Sequence, residues 1–123
     1  MKLIDSNIVI YSALEEYSYL REMFKEKNVF VSEITLLEVL GYSNITEEQE
    51  RYFHAAFSLM NIIPVSSEII STAIEIRKKY KLTVGDSIIA ASAKLLDLVL
   101  LTNNVSDFKD LQSITIHNPI NKK

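Results

Sequence analysis

The chain has 123 residues, 48% hydrophobic and 24% charged, with two Gly, two Pro and no Cys. That composition implies one compact domain spanning residues 1–123, and it excludes flexible linkers, Pro-rich tracts, a disulfide framework and thiolate metal sites. The formal net charge of −3 excludes nucleic-acid affinity from a bulk basic surface, so any such affinity needs a local patch or a bound cation.

In chain order, the opening "MKLIDSNIVIYSALEE" is interrupted by Asp5 and Asn7 well short of a secretory signal, and no apolar stretch reaches membrane-span length without charges. A cytoplasmic protein with no membrane segment is expected. "KLI" reads as a short buried strand ending at Asp5. Helical spacing follows in "SNIVIYSALEE", with Ser6 or Asn7 as its cap, and in "YSYLREMFKEK". "NVFVS" is a second strand, and "ITLLEVLGYS" a short helix ending at Gly41. "TEEQERYFHAAFSLM" opens on Thr46 and acids and puts Phe53, Ala56, Phe57 and Met60 on one face, with His54 assigned to packing beside them.

"NIIPV" is a third strand, closed by Pro64. "SSEIISTAIEIRKKY" starts with a Ser cap and Glu68 and ends in a basic turn. "VGDSIIAASAKLL" is apolar nearly all round, as a buried helix would be. "DLVLLT" and "SITIHN" complete five strands, with a short "DFKDL" helix between them. No internal repeat is present, and no low-complexity segment beyond the "NKK" tail. Strands alternating with helices predict an α/β fold, a parallel sheet covered on both faces.

Ligands of such a sheet gather at the carboxyl ends of its strands. Asp5 closes the first strand, Glu38 lies just beyond the second, Asp86 heads the buried helix, and Asp107 follows Thr102, Asn103 and Asn104 after the fourth strand. Clustered carboxylates repel unless they are protonated or share a cation. An oxygen-only set suits Mg2+ or Mn2+, which lowers the pKa of bound water and neutralises charge on a phosphodiester. Local roles compete with this reading. Asp5 stands where it would cap a helix, Asp107 where it would cap "DFKDL", and Thr83 with Asp86 has capping-box spacing. Glu38 also fits an amphipathic surface helix, although Leu36, Leu37, Val39 and Leu40 leave it little polar face.

The segments "LIDSNIVIY", "TLLEVL", "GDSIIAASA" and "LTNNVSDFKDL", in this order, resemble the PIN-domain family, especially the VapC toxins of type II toxin–antitoxin pairs. The resemblance implies a three-layer α/β/α sandwich and a Mg2+- or Mn2+-dependent endoribonuclease. It assigns Asp5, Glu38, Asp86 and Asp107 to an acidic quartet, with Asp5 and Asp86 as the direct metal ligands and Glu38 completing the site or activating water. Ser6, Thr102 and Asn104 match polar positions that shape such sites. The family also implies an RNA substrate, an antitoxin protein docking near the site, and a homodimer. Asn104 stands where some relatives carry a further acid, which favours one metal ion over two, and Ser87 replaces the commoner Ala.

Three other classes fit less well. A receiver-like signalling domain needs an acceptor Asp after the third strand, where this chain has "IIPVSS". A phosphatase with a D-x-D pair is disfavoured by Asn7. An inactive PIN-like binding module is disfavoured by the presence of all four acids. The basic "RKKYK" is read as helix-dipole complement before phosphate guide, Tyr11, Tyr17 and Tyr19 as packing or dimer contacts before base-stacking groups, and His117 as isolated.

Overall fold

A computed structural model describes residues 1–120; the "NKK" tail lies outside them. The strands are β1 (Lys2–Ile4), β2 (Val29–Ser32), β3 (Asn61–Ile63), β4 (Val99–Leu101) and β5 (Ile116–His117). They form one five-stranded parallel sheet in the order β3-β2-β1-β4-β5. The helices are α1 (Ser6–Ser12), α2 (Leu20–Met23), α3 (Glu33–Leu40), α4 (Glu47–Leu59), α5 (Ser67–Lys79), α6 (Val84–Leu96) and α7 (Val105–Phe108).

The register explains the layers. Leu3 lies opposite Phe30 and Leu100, and Ile4 opposite Val31 and Leu101. Successive side chains point to opposite faces, so Leu3 and Leu100 enter one core with α5 and α6, where Ile69, Ala73, Ile76, Ile89, Ala90 and Phe108 pack. Ile4, Val31 and Leu101 enter the other with α1, α2 and α4, where Ile8, Val9, Phe24, Phe53 and Phe57 pack. The result is the expected α/β/α sandwich. On α6 the two buried hydroxyls turn back on their own helix, Ser87 Oγ to the Val84 carbonyl at 2.7 Å and Ser92 Oγ to the Ile88 carbonyl at 2.8 Å. An apolar helix thereby carries polar residues into the core without orphaned groups.

Some local expectations are corrected. The cap of α1 is Asp5, not Ser6 or Asn7. The helix expected over "YSYLREMFKEK" shrinks to α2, preceded by a 3-10 turn at Glu15–Tyr17. Arg21 is the cause: its guanidinium donates to the Ser12 carbonyl at 2.7 Å and the Ala13 carbonyl at 3.3 Å, and lies 5.1 Å from the centre of the Tyr52 ring. Bonding the free carbonyls at the end of α1 folds the chain into a corner there. His54 is not packing; it is exposed, 3.8 Å from Glu50. It sits one position past Phe53, which on a helix is about 100° away from the apolar stripe.

The start of α4 has both halves of a capping box, with Thr46 Oγ1 accepting from Gln49 N–H at 3.1 Å and Gln49 Oε1 accepting from Thr46 N–H at 2.9 Å. Thr46→Ala should cost about 1 kcal/mol, read as a lower urea midpoint at unchanged m-value. An unchanged midpoint would show that the cap is not needed.

Candidate active site

Short connections place the site. β1 passes into α1 through Asp5 alone, and β2 runs directly from Ser32 into Glu33 of α3. Helix N-termini therefore crowd against the carboxyl edge of the sheet, beside its central strand.

Asp5 is only 3% exposed. Its Oδ1 accepts the Ser6 N–H at 2.8 Å; its Oδ2 accepts Asn7 Nδ2 at 2.9 Å and Thr102 Oγ1 at 2.7 Å. A carboxylate has about four acceptor positions, so these three bonds leave roughly one free. Thr102, fully buried, also accepts Asn7 Nδ2 at 3.2 Å and the Asn104 N–H at 3.0 Å. Thr102 thus bonds Asp5 directly, whereas Asn104 joins by its backbone and its side chain is exposed. Asn7 was not singled out from sequence as a site residue, yet its Oδ1 also accepts the Asn103 N–H at 3.0 Å. The D-x-N spacing at a strand end was the available signal.

On the other side of β1, Ser6 Oγ donates to Glu38 Oε1 at 2.6 Å and lies 2.9 Å from Thr35 Oγ1. Thr35 is fully buried one helical turn before Glu38, and it too was missed. Glu38 is exposed, contrary to the expectation drawn from its apolar neighbours, and so is Leu37 at 68%. The reason is that α3 lies across the end of the sheet, with Ile34 against one core and Val39 in the other. Gly85 lets α6 approach: a Cβ there would overlap the Glu38 carboxylate.

Asp86 sits in the first turn of α6, where Thr83 Oγ1 accepts its N–H at 3.1 Å. That is the Thr half of the capping-box spacing. Its carboxyl is pushed up from 3.8 to about 6, first by burial, then by the negative charges of Asp5 and Asp107, with Glu38 adding to them against a hydrogen bond from Thr83. Asp5 is also raised, first by burial and further by Glu38, against the hydrogen bonds from Thr102, Ser6 and Asn7. Asp107 is exposed in the first turn of α7, whose N-cap is Asn104, so the cap role weighed for Asp107 is not taken.

All four acids thus act on Asp86 or Asp5 at one edge. Among the described residues, no three His, Cys, Asp or Glu side chains form a ready-made metal cage. The acids share a field more than a contact. The donor set suits a hard divalent cation, since it is oxygen-only, like-charged and partly protonatable. Asp5, with one acceptor position open, and Asp86 are the residues that could hold it.

The chain belongs to the PIN-domain family, whose model matches residues 2–113. Within that family it is VapC-like. It is 32% identical over 126 residues to Ribonuclease VapC1 of Rickettsia felis, covering 93% of this chain and 92% of that one. It is 31% identical to a chain of a toxin–antitoxin complex from Klebsiella pneumoniae, covering 99% of this chain and 100% of that chain with a TM-score of 0.79. VapBC2 from Rickettsia felis, bound to a DNA fragment from its promoter, shares the fold at 22% identity and a TM-score of 0.79 over 95% of this chain and 97% of that one.

The raised Asp86 carboxyl has a signed consequence. Below 3.8 it is neutral in the folded and unfolded chain; between 3.8 and about 6 only the unfolded chain has lost the proton, so its contribution to stability falls as pH rises through that window. In chelator, Asp86→Asn should gain Tm relative to wild type as pH rises from 3.8 to about 6 and hold that gain above it. A gain that shrinks with rising pH would contradict the crowding of acids around Asp86.

Proposed function

We propose that the chain is a Mg2+- or Mn2+-dependent endoribonuclease that hydrolyses RNA phosphodiester bonds, and that it acts as the toxin of a toxin–antitoxin pair. The observation that carries this is the buried Asp5 carboxylate, bonded by Ser6, Asn7 and Thr102 at the end of β1, with Glu38 tied to the same strand end through Ser6 and the charges of Asp5, Asp107 and Glu38 acting on Asp86, in a VapC-like chain. Asp5 and Asp86 would hold the ion. Mg2+ commonly keeps several waters and takes one or two carboxylates, which accords with a site that lacks a three-carboxylate cage. When bound, the ion supplies charge neutralisation for the phosphate and a water of lowered pKa.

The chain's own groups do the rest. Asn7 and Thr102 hold the Asp5 carboxylate in place and favour its charged form against burial. Ser6 occupies one oxygen of Glu38 and aims the carboxylate, whose other oxygen takes the proton from the attacking water. Asp107, exposed at the outer side, adds charge to the same edge. Cleavage of RNA should require Mg2+ or Mn2+, and Asp86→Asn should slow it by at least about 100-fold with an unchanged circular dichroism spectrum. Undiminished cleavage in excess chelator or by the variant overturns the assignment, and RNA bound but left uncut makes the chain a binding module.

The partner reading rests on a groove of about 250 Å3 beside Glu38, lined by Ile10, Val39, Tyr42, Ile45 and Phe53. Ile10 and Tyr42 are 50% and 57% exposed, an apolar surface that suits a segment of an antitoxin protein. The structure from Klebsiella pneumoniae is itself a toxin–antitoxin complex. A protein that co-purifies with the chain in equal amount should inhibit RNA cleavage by wild type and fail against Ile10→Glu/Tyr42→Glu. Equal inhibition of both would move the docking elsewhere. The same reading carries a homodimer, and light scattering that gives one chain's mass would overturn it.

A further inference from the structure

A second concavity, of about 400 Å3, takes no part in the acidic site. Its walls include Glu75, Lys78, Lys79 and Tyr80 at the end of α5, Lys94 on α6, and Leu111 and Ser113 beyond α7. Lys78 lies 3.6 Å from Glu75, whereas Lys79 and Lys94 have no ion pair among the described residues and are exposed. The helix dipoles favour each lysine where it stands, near the last turn of its own helix. They do not account for three lysines against a single carboxylate, Glu75, with a partly buried tyrosine and a serine, from three separate segments lining one cleft in a chain of net charge −3.

The cleft is also tied to the acids by the chain itself. α6 carries Asp86 at one end and Lys94 toward the other, and Leu111 stands four residues after Asp107. Four residues span at most about 14 Å, so the cleft wall at Leu111 is within that distance of the Asp107 backbone. Unpaired cations beside an aromatic ring are the combination that tracks single-stranded nucleic acid, cations on phosphates and a ring under a base.

We propose that this cleft holds the backbone of the RNA strand flanking the scissile bond, with Lys79 and Lys94 on its phosphates. This rests on the ribonuclease reading and extends it: the acidic site repels phosphate except through its cation, and the cleft supplies a second, metal-independent hold.

The test uses Asp86→Asn protein with Mg2+ and a labelled single-stranded RNA of roughly 20 nucleotides, longer than the 4–16 that one single-strand-binding fold covers. Adding Lys79→Gln/Lys94→Gln should weaken binding by roughly tenfold and lower the slope of log affinity against log salt by about 1.4, or 0.7 per phosphate contact. Lys25→Gln/Lys27→Gln, of the same net charge, should leave the slope as it was. In otherwise wild-type protein, the cleft pair should raise KM for the same RNA by a similar factor. An unchanged slope for the cleft pair, or an equal fall for the control pair, overturns the cleft while metal-dependent cleavage stands. Wild-type protein that neither cuts nor binds this RNA overturns both.

Discussion

The carboxylate of Asp5 is the interaction on which the rest of the site depends. An acid that is 3% exposed is expensive to leave ionised, and it is held by bonds from Ser6 N–H, Asn7 Nδ2 and Thr102 Oγ1. Those donors come from the first turn of α1 and from the end of β4, so one side chain ties two elements that the sequence separates by 97 positions. Asn7 extends the tie to the Asn103 N–H, and Asn103 in turn bonds Tyr11 and Asn118. Removing the Asp5 carboxylate would free a buried hydroxyl and an amide together, so the carboxylate is structural whatever else it does.

The balance of forces on the acids separates Asp5 and Asp86 from ordinary helix caps. Asp5 and Asp86 stand at the N-terminal ends of helices, where the dipole and free N–H groups favour a carboxylate and lower its pKa. Both are raised instead. Burial and mutual repulsion therefore outweigh helix capping and hydrogen bonding at both positions. A pure cap has no reason to accept that cost, and Ser66 shows the alternative: it caps α5 through its hydroxyl, accepting the Ile69 N–H at 3.2 Å, with no charge involved. At the Thr83–Asp86 spacing the threonine oxygen serves the helix by accepting the Asp86 N–H, while the Asp86 carboxyl feels the charges of the other acids.

Much of this was legible in the sequence because it is local. The five short β-rich runs, the buried α6, the Thr46 box and the order of the acids along the chain all follow from residue type and spacing. What was not legible depends on tertiary placement. Glu38 looked walled in by leucines, but α3 straddles the sheet end, so Leu37 and Glu38 face outward. Thr35 and Gly85 matter because Ser6 and Glu38 come to them from 29 and 47 positions away, and no spacing rule carries that. The α2 helix stopped short because one side chain, Arg21, found the carbonyls of α1, a contact that propensity does not register.

The sheet order gives the reason for the site's position. From β1 the chain proceeds outward through β2 and β3 on one side, and through β4 and β5 on the other. The direction of winding reverses at β1, and in open parallel sheets a crevice forms outside the strand ends at such a switch point. Consecutive residues at the end of β1 then serve opposite walls of that crevice: Asp5 bonds Thr102 after β4, and Ser6 bonds Thr35 and Glu38 after β2. The carboxylate supplies acceptors to one wall, and the hydroxyl that follows it reaches both Thr35 and Glu38 on the other. Topology thus selects the place, and the pair Asp5–Ser6 converts a gap between strands into a site with a defined charge.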